Sequence, residues 1–289
     1  MAALWRDRPV GLVGLGLIGG SLGLDLGAAG AEVRAWVRRA PTAERARERG
    51  LAQRVSTEPE VLEGCGLVVL ALPLDQLLAP SPELVRALPT DAVVTDVGSV
   101  KAPVVAVWTP LVKRFVGGHP MAGTSQAGVE AGQRGLFQGR PWVTTPTATT
   151  DPAALEAVRQ LAEAVGSRPL CCAAEAHDRA VALISHLPVV VSAALIAAAA
   201  GDAPGEAQGG EGELARALAS SGFADTSRVG GGNPELGTLM CQGNREAVLT
   251  ALHRYQQELA TLTETIRASD WPDLRARLER CQAIRPEFL

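Results

Sequence analysis

From Pro9 to about Cys172 short apolar runs alternate with amphipathic stretches, the pattern of successive strand–helix units around a parallel sheet. The strand candidates are VGLVG (10–14), EVRAWV (32–37), GLVVLAL (66–72), AVVTDV (92–97), RFVGG (114–118), PWVTT (141–145) and RPLCC (168–172). Helices are expected between them at 17–29, 42–50, 100–109 and 151–165, the last opened by Asp151 as N-cap and Pro152 at the first helical position. After Cys172 the strand signals stop. AEAHDRAVALISHLPVVVSAALIAAAA (174–200) is apolar nearly all round, which predicts a buried helix. GDAPGEAQGGEG (201–212) reads as a polar surface connector, and a long helix is expected from about Asn244 to Ala268. The chain thus divides into an α/β domain over 1–172 and an all-helical domain over 173–289, with no internal repeats. So apolar a central helix is expected to bury itself against a second subunit, giving a homodimer.

Composition narrows the classes. Hydrophobic residues make up 47% of the chain and aromatics only 3%, so the core is packed with small side chains. The net charge of −4 is spread along the sequence without a basic stripe, which argues against a nucleic-acid partner. Five cysteines, odd in number and without a C-x-x-C pair, fit free thiols better than a disulfide framework or a zinc site. The N-terminus has charges before an apolar run, as a leader would, but its glycines and strand–turn–helix pattern argue otherwise. No segment is read as reaching transmembrane length free of charge or glycine interruption, so no membrane partner and a cytoplasmic location are expected.

The first strand runs into GLVGLGLIGGSLG, where Gly14-x-Gly16-x-x-Gly19 lies directly after the strand and opens a helix. Such glycines permit a tight turn, close approach of the backbone to a pyrophosphate and close helix–strand packing, with the helix N-terminus facing the anion. Gly14, Gly16, Leu17, Ile18 and Gly19 are the cofactor-binding candidates. The second strand usually ends in an acid that bonds the ribose 2′-hydroxyl, but here Val37 stands at that place, followed by Arg38 and Arg39. Two guanidinium groups suit a 2′-phosphate, so NADP is favoured over NAD; a solvated helix start is the other reading of the pair.

Ligands of such sheets bind outside the carboxyl ends of the strands, and two of these ends carry chemistry: TDVGSVK (95–101) and GGHPMAG (117–123). With the glycine loop GLGLIGGSL, these motifs and GGHPMAGTSQAGVEAG, HDRAVALISHLP and DTSRVGGGNPELG occur in the order found in the prephenate/arogenate dehydrogenases of tyrosine biosynthesis, which the chain resembles over nearly its whole length. The resemblance implies a Rossmann-type doubly wound parallel sheet followed by an all-helical dimerisation domain. It also implies oxidative decarboxylation: hydride leaves the ring carbon bearing the 4-hydroxyl, the ring carboxylate departs as CO2, and the product is 4-hydroxyphenylpyruvate, or tyrosine from arogenate.

Such a reaction needs an acceptor for the hydroxyl proton and cationic partners for carboxylates. His119, at the family's catalytic H-P position, supplies an imidazole able to accept a proton at neutral pH. Ser99 matches the serine that bonds the substrate hydroxyl or orients that histidine; a plain helix N-cap is its other reading. Lys101 either contacts a carboxylate or decorates the helix start. Arg228 matches the carboxylate-binding arginine, against a surface pair with Asp225. His186 is a candidate substrate contact or a buried structural group, and Thr124 belongs to the small-residue loop expected against substrate. His177 and His186, nine apart, should lie about 180° from each other on one regular helix and so not share a metal. No metal site is expected, and His253 has only a structural reading. Where the family commonly has a further histidine after S-H-L-P, this chain has Val189.

Two other readings share the architecture. A β-hydroxyacid dehydrogenase is expected to carry a lysine acid/base in its helical half, but no lysine follows Lys113. A dinucleotide-sensing regulator without turnover would have no use for His119, Ser99 and Arg228 together.

Overall fold

The computed structural model describes residues 7–124, 126–201 and 211–288. Most of the connector expected over 201–212 lies outside them. Eight strands form one sheet in the order β3-β2-β1-β4-β5-β6-β7-β8. They are β1 (Val10–Val13), β2 (Val33–Trp36), β3 (Arg54–Ser56), β4 (Leu67–Leu70), β5 (Val93–Asp96), β6 (Phe115–Pro120), β7 (Pro141–Thr145) and β8 (Arg168–Cys171). β1, β4 and β5 are buried throughout because helices cover both faces, which is why their sequences read as continuous apolar runs.

β3 was not expected. It is only three residues long, with exposed Arg54 at its start, and it is recruited at the sheet edge by pairing to β2. The sheet also departs from a wholly parallel one between β6 and β7, where Pro120 faces Trp142 in antiparallel register. Among its described residues the connection over 121–140 holds no crossover helix, only a short turn at Val129–Ala131, and the chain re-enters the sheet at the end from which it left.

The helices of this half are α1 (Leu17–Ala28), α2 (Ala40–Glu48), α3 (Leu74–Leu78), α4 (Pro82–Ala87), α5 (Ala102–Trp108) and α6 (Pro152–Ala164). Asp151 caps α6 as its sequence predicts, its side chain accepting the Ala153 amide. Beyond β8 come α7 (Ala174–Val181), a π turn (Ala182–His186), α8 (Leu187–Ala200), α9 (Glu211–Leu218), α10 (Ser221–Ser227), α11 (Pro234–Gly243), α12 (Arg245–Arg267) and α13 (Trp271–Ile284).

Two expectations about 174–200 need correction. The segment forms one continuous helical rod with a mean hydropathy of 2.2 over its most apolar window, long and apolar enough to cross a membrane. The stretch from Ala180 to Ala200 holds neither a charged residue nor a glycine, so the sequence does contain an uninterrupted span. Nor is the helix buried within one chain: in α8 only Leu187 and Ser192 are. Ala182 and Leu187 of the rod pack with Val248 and Ala251 of α12, and Ser192 donates to the Thr226 carbonyl, while Leu183 and Ile184 of the rod stay exposed. The five cysteines are free.

Candidate active site

The sheet order reverses between β1 and β4, opening a crevice at the carboxyl ends of β1, β4, β5 and β6. Gly14 leaves β1 with φ +94°, and a Cβ there would lie 2.4 Å from the Ala71 carbonyl oxygen. At Gly19 it would meet the Gly14 carbonyl at 2.1 Å, so strand, turn and helix fit only without side chains. Nothing lies within 4 Å of a Cβ on Gly16, the N-cap of α1, and no side chain caps the helix. Unfilled amide donors beside an open glycine are the cradle a pyrophosphate requires, so the loop fits a dinucleotide. Leu17 and Ile18 form the half-buried first turn. Val37 is buried, whereas Arg38 and Arg39 are exposed before α2 and join no ion pair among the described residues.

β6 delivers His119 to the same crevice. A Cβ on Gly118 would lie 2.6 Å from Thr95 Oγ1 and 2.7 Å from the Asp96 carbonyl, so the glycine before the histidine lets β6 sit tightly on β5. Asp96 then holds this bend. Its carboxylate accepts the amides of Gly118 at 3.0 Å and Gly98 at 2.8 Å, fixing the ends of both strands. The Lys101 ammonium is wholly buried, donating to Asp96 and, at 2.7 Å, to the Gly118 carbonyl. Burial pulls its pKa down while the Asp96 carboxylate opposes the shift. The structure departs from both sequence readings of Lys101: it stands at the start of α5, but its ammonium turns inward and its partners among the described residues, Asp96 and the Gly118 carbonyl, lie inside the protein.

Ser99 is half-buried in the β5–α5 turn. It is not the cap of α5. Asp178, 77 residues away from Lys101, takes that role, its two carboxylate oxygens accepting the Lys101 amide at 2.7 Å and the Ala102 amide at 2.8 Å. Ser99 makes no side-chain hydrogen bond among the described residues.

His119 is half-buried, and its Nδ1 lies 2.8 Å from Nε2 of His177. The rings meet edge to face with centroids 5.0 Å apart. His177 is buried, and its Nδ1 lies 2.8 Å from Asp178 Oδ1. Withdrawal from water holds His119 well below the ordinary imidazole pKa, and Lys101, His177 and His186 push the same way. His119 is thus neutral, and able to accept a proton, across the physiological range.

His186 is also buried. Its Nδ1 lies 3.3 Å from the Asn244 side-chain amide nitrogen, which donates at 2.7 Å to the Asp178 carbonyl. Nε2 of His186 has no partner among the described residues. Burial lowers its pKa to about 4, so the ring is neutral and, with Nδ1 accepting, its Nε2 proton is an unused donor.

The expected opposition of His177 and His186 fails because of the π turn between them. It absorbs one extra residue, so nine positions act as about eight α-helical steps and the angle falls from about 180° to about 80°. Sequence periodicity missed His177 as the partner of His119; the HD pair ahead of S-H-L-P was the available signal. Among the described residues no cluster of three or more metal-binding groups occurs.

Arg228 ends α10, exposed and in no ion pair among the described residues, so the surface pair with Asp225 does not form. Thr124 is exposed in the loop after β6, its hydroxyl accepting the Gln126 amide at 3.2 Å. That loop is tied to the dinucleotide half. Ser21 and Asp25 of α1 accept the amides of Gln133 and Gly135, each at 3.0 Å, and Arg49 donates to the Gly132 carbonyl at 2.7 Å.

Comparison with known proteins is consistent along the chain. The family profile described as prephenate dehydrogenase, nucleotide-binding domain, matches residues 23–170, and prephenate dehydrogenase, dimerization domain, matches residues 173–280. A cyclohexadienyl dehydrogenase of Zymomonas mobilis is 30% identical over 283 residues, covering 96% of this chain and 95% of that protein. The crystal structure of Synechocystis arogenate dehydrogenase is 42% identical with a TM-score of 0.82, covering 97% of this chain and all of that one. Prephenate dehydrogenase from A. aeolicus, crystallised with hydroxyphenyl propionate and NAD+, is 29% identical with a TM-score of 0.87, covering 98% of each chain.

Proposed function

Because the chain belongs to the prephenate dehydrogenase family, we propose that its crevice carries out that family's reaction with His119 as proton acceptor. The protein is an NAD(P)-dependent oxidoreductase that oxidatively decarboxylates prephenate to 4-hydroxyphenylpyruvate, a step of tyrosine biosynthesis. The nicotinamide cofactor, when bound, supplies the hydride acceptor. The chain's own groups do the rest. His119 takes the proton from the 4-hydroxyl as the C–O bond gains double-bond character. Ser99, in the adjacent strand-end turn, hydrogen-bonds that hydroxyl. Arg228 and the unused Nε2 donor of His186 hold anionic or carbonyl oxygens of the substrate, and Thr124 lines the loop over it. The observation that carries this reading is a half-buried imidazole at the carboxyl end of β6, in the crevice that also holds an open, uncapped helix N-terminus.

Arg38 and Arg39, exposed after buried Val37 and in no ion pair among the described residues, support NADP as the preferred cofactor, their guanidinium groups gripping the 2′-phosphate. We assign residues 1–172 to dinucleotide binding and 173–289 to substrate binding and homodimerisation, the latter supported by the incompletely covered rod of α7–α8. Five free thiols favour a cytoplasmic setting. A second reading, arogenate as substrate, is favoured by the 42% identity to the Synechocystis enzyme.

Steady-state assays of prephenate and arogenate, each with NAD and NADP, test these assignments together. NADPH formation with prephenate at the highest kcat/KM is expected; a clear NAD preference removes the Arg38/Arg39 argument, and faster arogenate turnover selects the second reading. His119→Asn should lower kcat by roughly 10²–10⁴-fold with nucleotide affinity unchanged, whereas near-normal kcat would take His119 out of the reaction.

A further inference from the structure

The buried group behind His119 fixes where the protons of three residues lie. Asp178 Oδ1 accepts the Lys101 amide and Oδ2 the Ala102 amide, and Oδ1 also lies 2.8 Å from His177 Nδ1. A carboxylate oxygen engaged by backbone donors acts as an acceptor, so the proton between Asp178 and His177 belongs to His177 Nδ1. A neutral ring with its proton on Nδ1 presents a lone pair at Nε2. That lone pair faces His119 Nδ1 at 2.8 Å. If His119 also offered a lone pair there, two acceptors would confront each other inside the protein, so His119 donates from Nδ1. Its own Nε2 is left as the bare lone pair.

We infer that His177 and Asp178 are positioning residues for the reaction: in series they lock His119 into the tautomer whose Nε2 is free to accept the substrate's hydroxyl proton. As that proton moves, the substrate O–H bond breaks and an Nε2–H bond forms, while the Nδ1–H stays directed at His177. The resulting imidazolium finds an acceptor already in place, with the Asp178 carboxylate behind it. The arrangement offsets surroundings that otherwise disfavour a cation at His119, namely its withdrawal from water and the neighbouring Lys101 and His186. Asp178 joins this chain to the start of α5, so the turn carrying Ser99 and the orientation of His119 are set by one carboxylate. The alternative, a charged His177 donating at both nitrogens, adds a second buried cation to the cluster holding Lys101 and would reverse the tautomer of His119.

The inference rests on His119 being the proton acceptor, but its first test needs no turnover. The chain has four histidines, so a 15N-histidine-labelled sample gives few ring signals. The His119 pattern is identified by its loss in His119→Asn. An Nδ1–H pattern for His119 in the wild-type protein is expected; an Nε2–H pattern overturns the inference, whether or not His119 is the base. In kinetics, His177→Leu should lower kcat by roughly 10–100-fold, less than loss of the base itself, with KM for prephenate and nucleotide affinity nearly unchanged. His177→Gln, whose carbonyl oxygen can still accept the Nδ1 proton, should recover most of that loss. Equal kcat in the two variants, or wild-type kcat in His177→Leu, overturns the positioning role. A variant that fails to fold leaves the wild-type spectrum to decide.

Discussion

At the scale of single residues, the site separates groups that serve the substrate from groups that serve each other. Lys101 belongs to the second set. In the sequence it stands two residues after Ser99, in a chain with only two lysines, and reads equally as a carboxylate contact or as part of a helix start. The fold instead closes it against Asp96 and the Gly118 carbonyl. Lys101→Met should therefore leave a buried carboxylate unpaired, a loss of about 3–5 kcal/mol. For a chain of this length that is a Tm drop of roughly 5–8 °C by calorimetry. A raised KM with unchanged Tm would return Lys101 to the substrate. His186 gives a pH signature. Its folded pKa of about 4 lies below the ordinary value of 6.5, so as pH falls below about 6.5 the unfolded chain takes up a proton that the folded ring refuses. Stability present above that pH is lost progressively down to about 4. His119, lowered in the same direction, adds to the slope. Tm measured between pH 7 and 4 should fall less steeply in His186→Gln than in the wild type; equal slopes would show that His186 is not the titrating group.

At the scale of elements, the strands were legible because a sheet covered on both faces demands continuous apolar runs, and β1, β4 and β5 supply them. The glycine loop and the H-P strand end were legible for a related reason: close backbone approach leaves residue types that few other constraints require. β3 was not, since a three-residue edge strand is too short to show a periodicity of its own. Nor was the reversal at β7, which depends on a missing helix rather than on any residue present. The bond from His119 to His177 spans 58 residues, and the cap of Asp178 on α5 spans 77. Neither leaves a local trace, and the π turn that brings His177 and His186 round is invisible to a 3.6-residue period.

At the scale of the whole molecule, the helical half exposes many apolar side chains. Leu249, Leu259, Ile266, Trp271 and Leu278 along α12 and α13 are all exposed, as is Leu218 at 71%. An apolar surface of this extent, beside a rod whose most apolar window has a mean hydropathy of 2.2, matches a subunit whose core is completed by a second copy. Tm should then rise with protein concentration, since folding and association are linked. A Tm independent of concentration over two decades, with a monomer in sedimentation, would leave the homodimer unsupported.

The π turn has a genetic consequence. Removing a single codon among residues 182–185 would let the rod relax into an uninterrupted α-helix with regular hydrogen bonds. Such an allele should encode a protein that folds with its helical content intact. Eight regular steps would then leave the two histidines about 80° apart, the angle the π turn gives with nine, so their register and the activity should both be kept. In a selection for growth without tyrosine, single-codon deletions in this stretch should survive alongside conservative missense changes, while two-codon deletions, which turn one histidine about 100° from the other, should be absent.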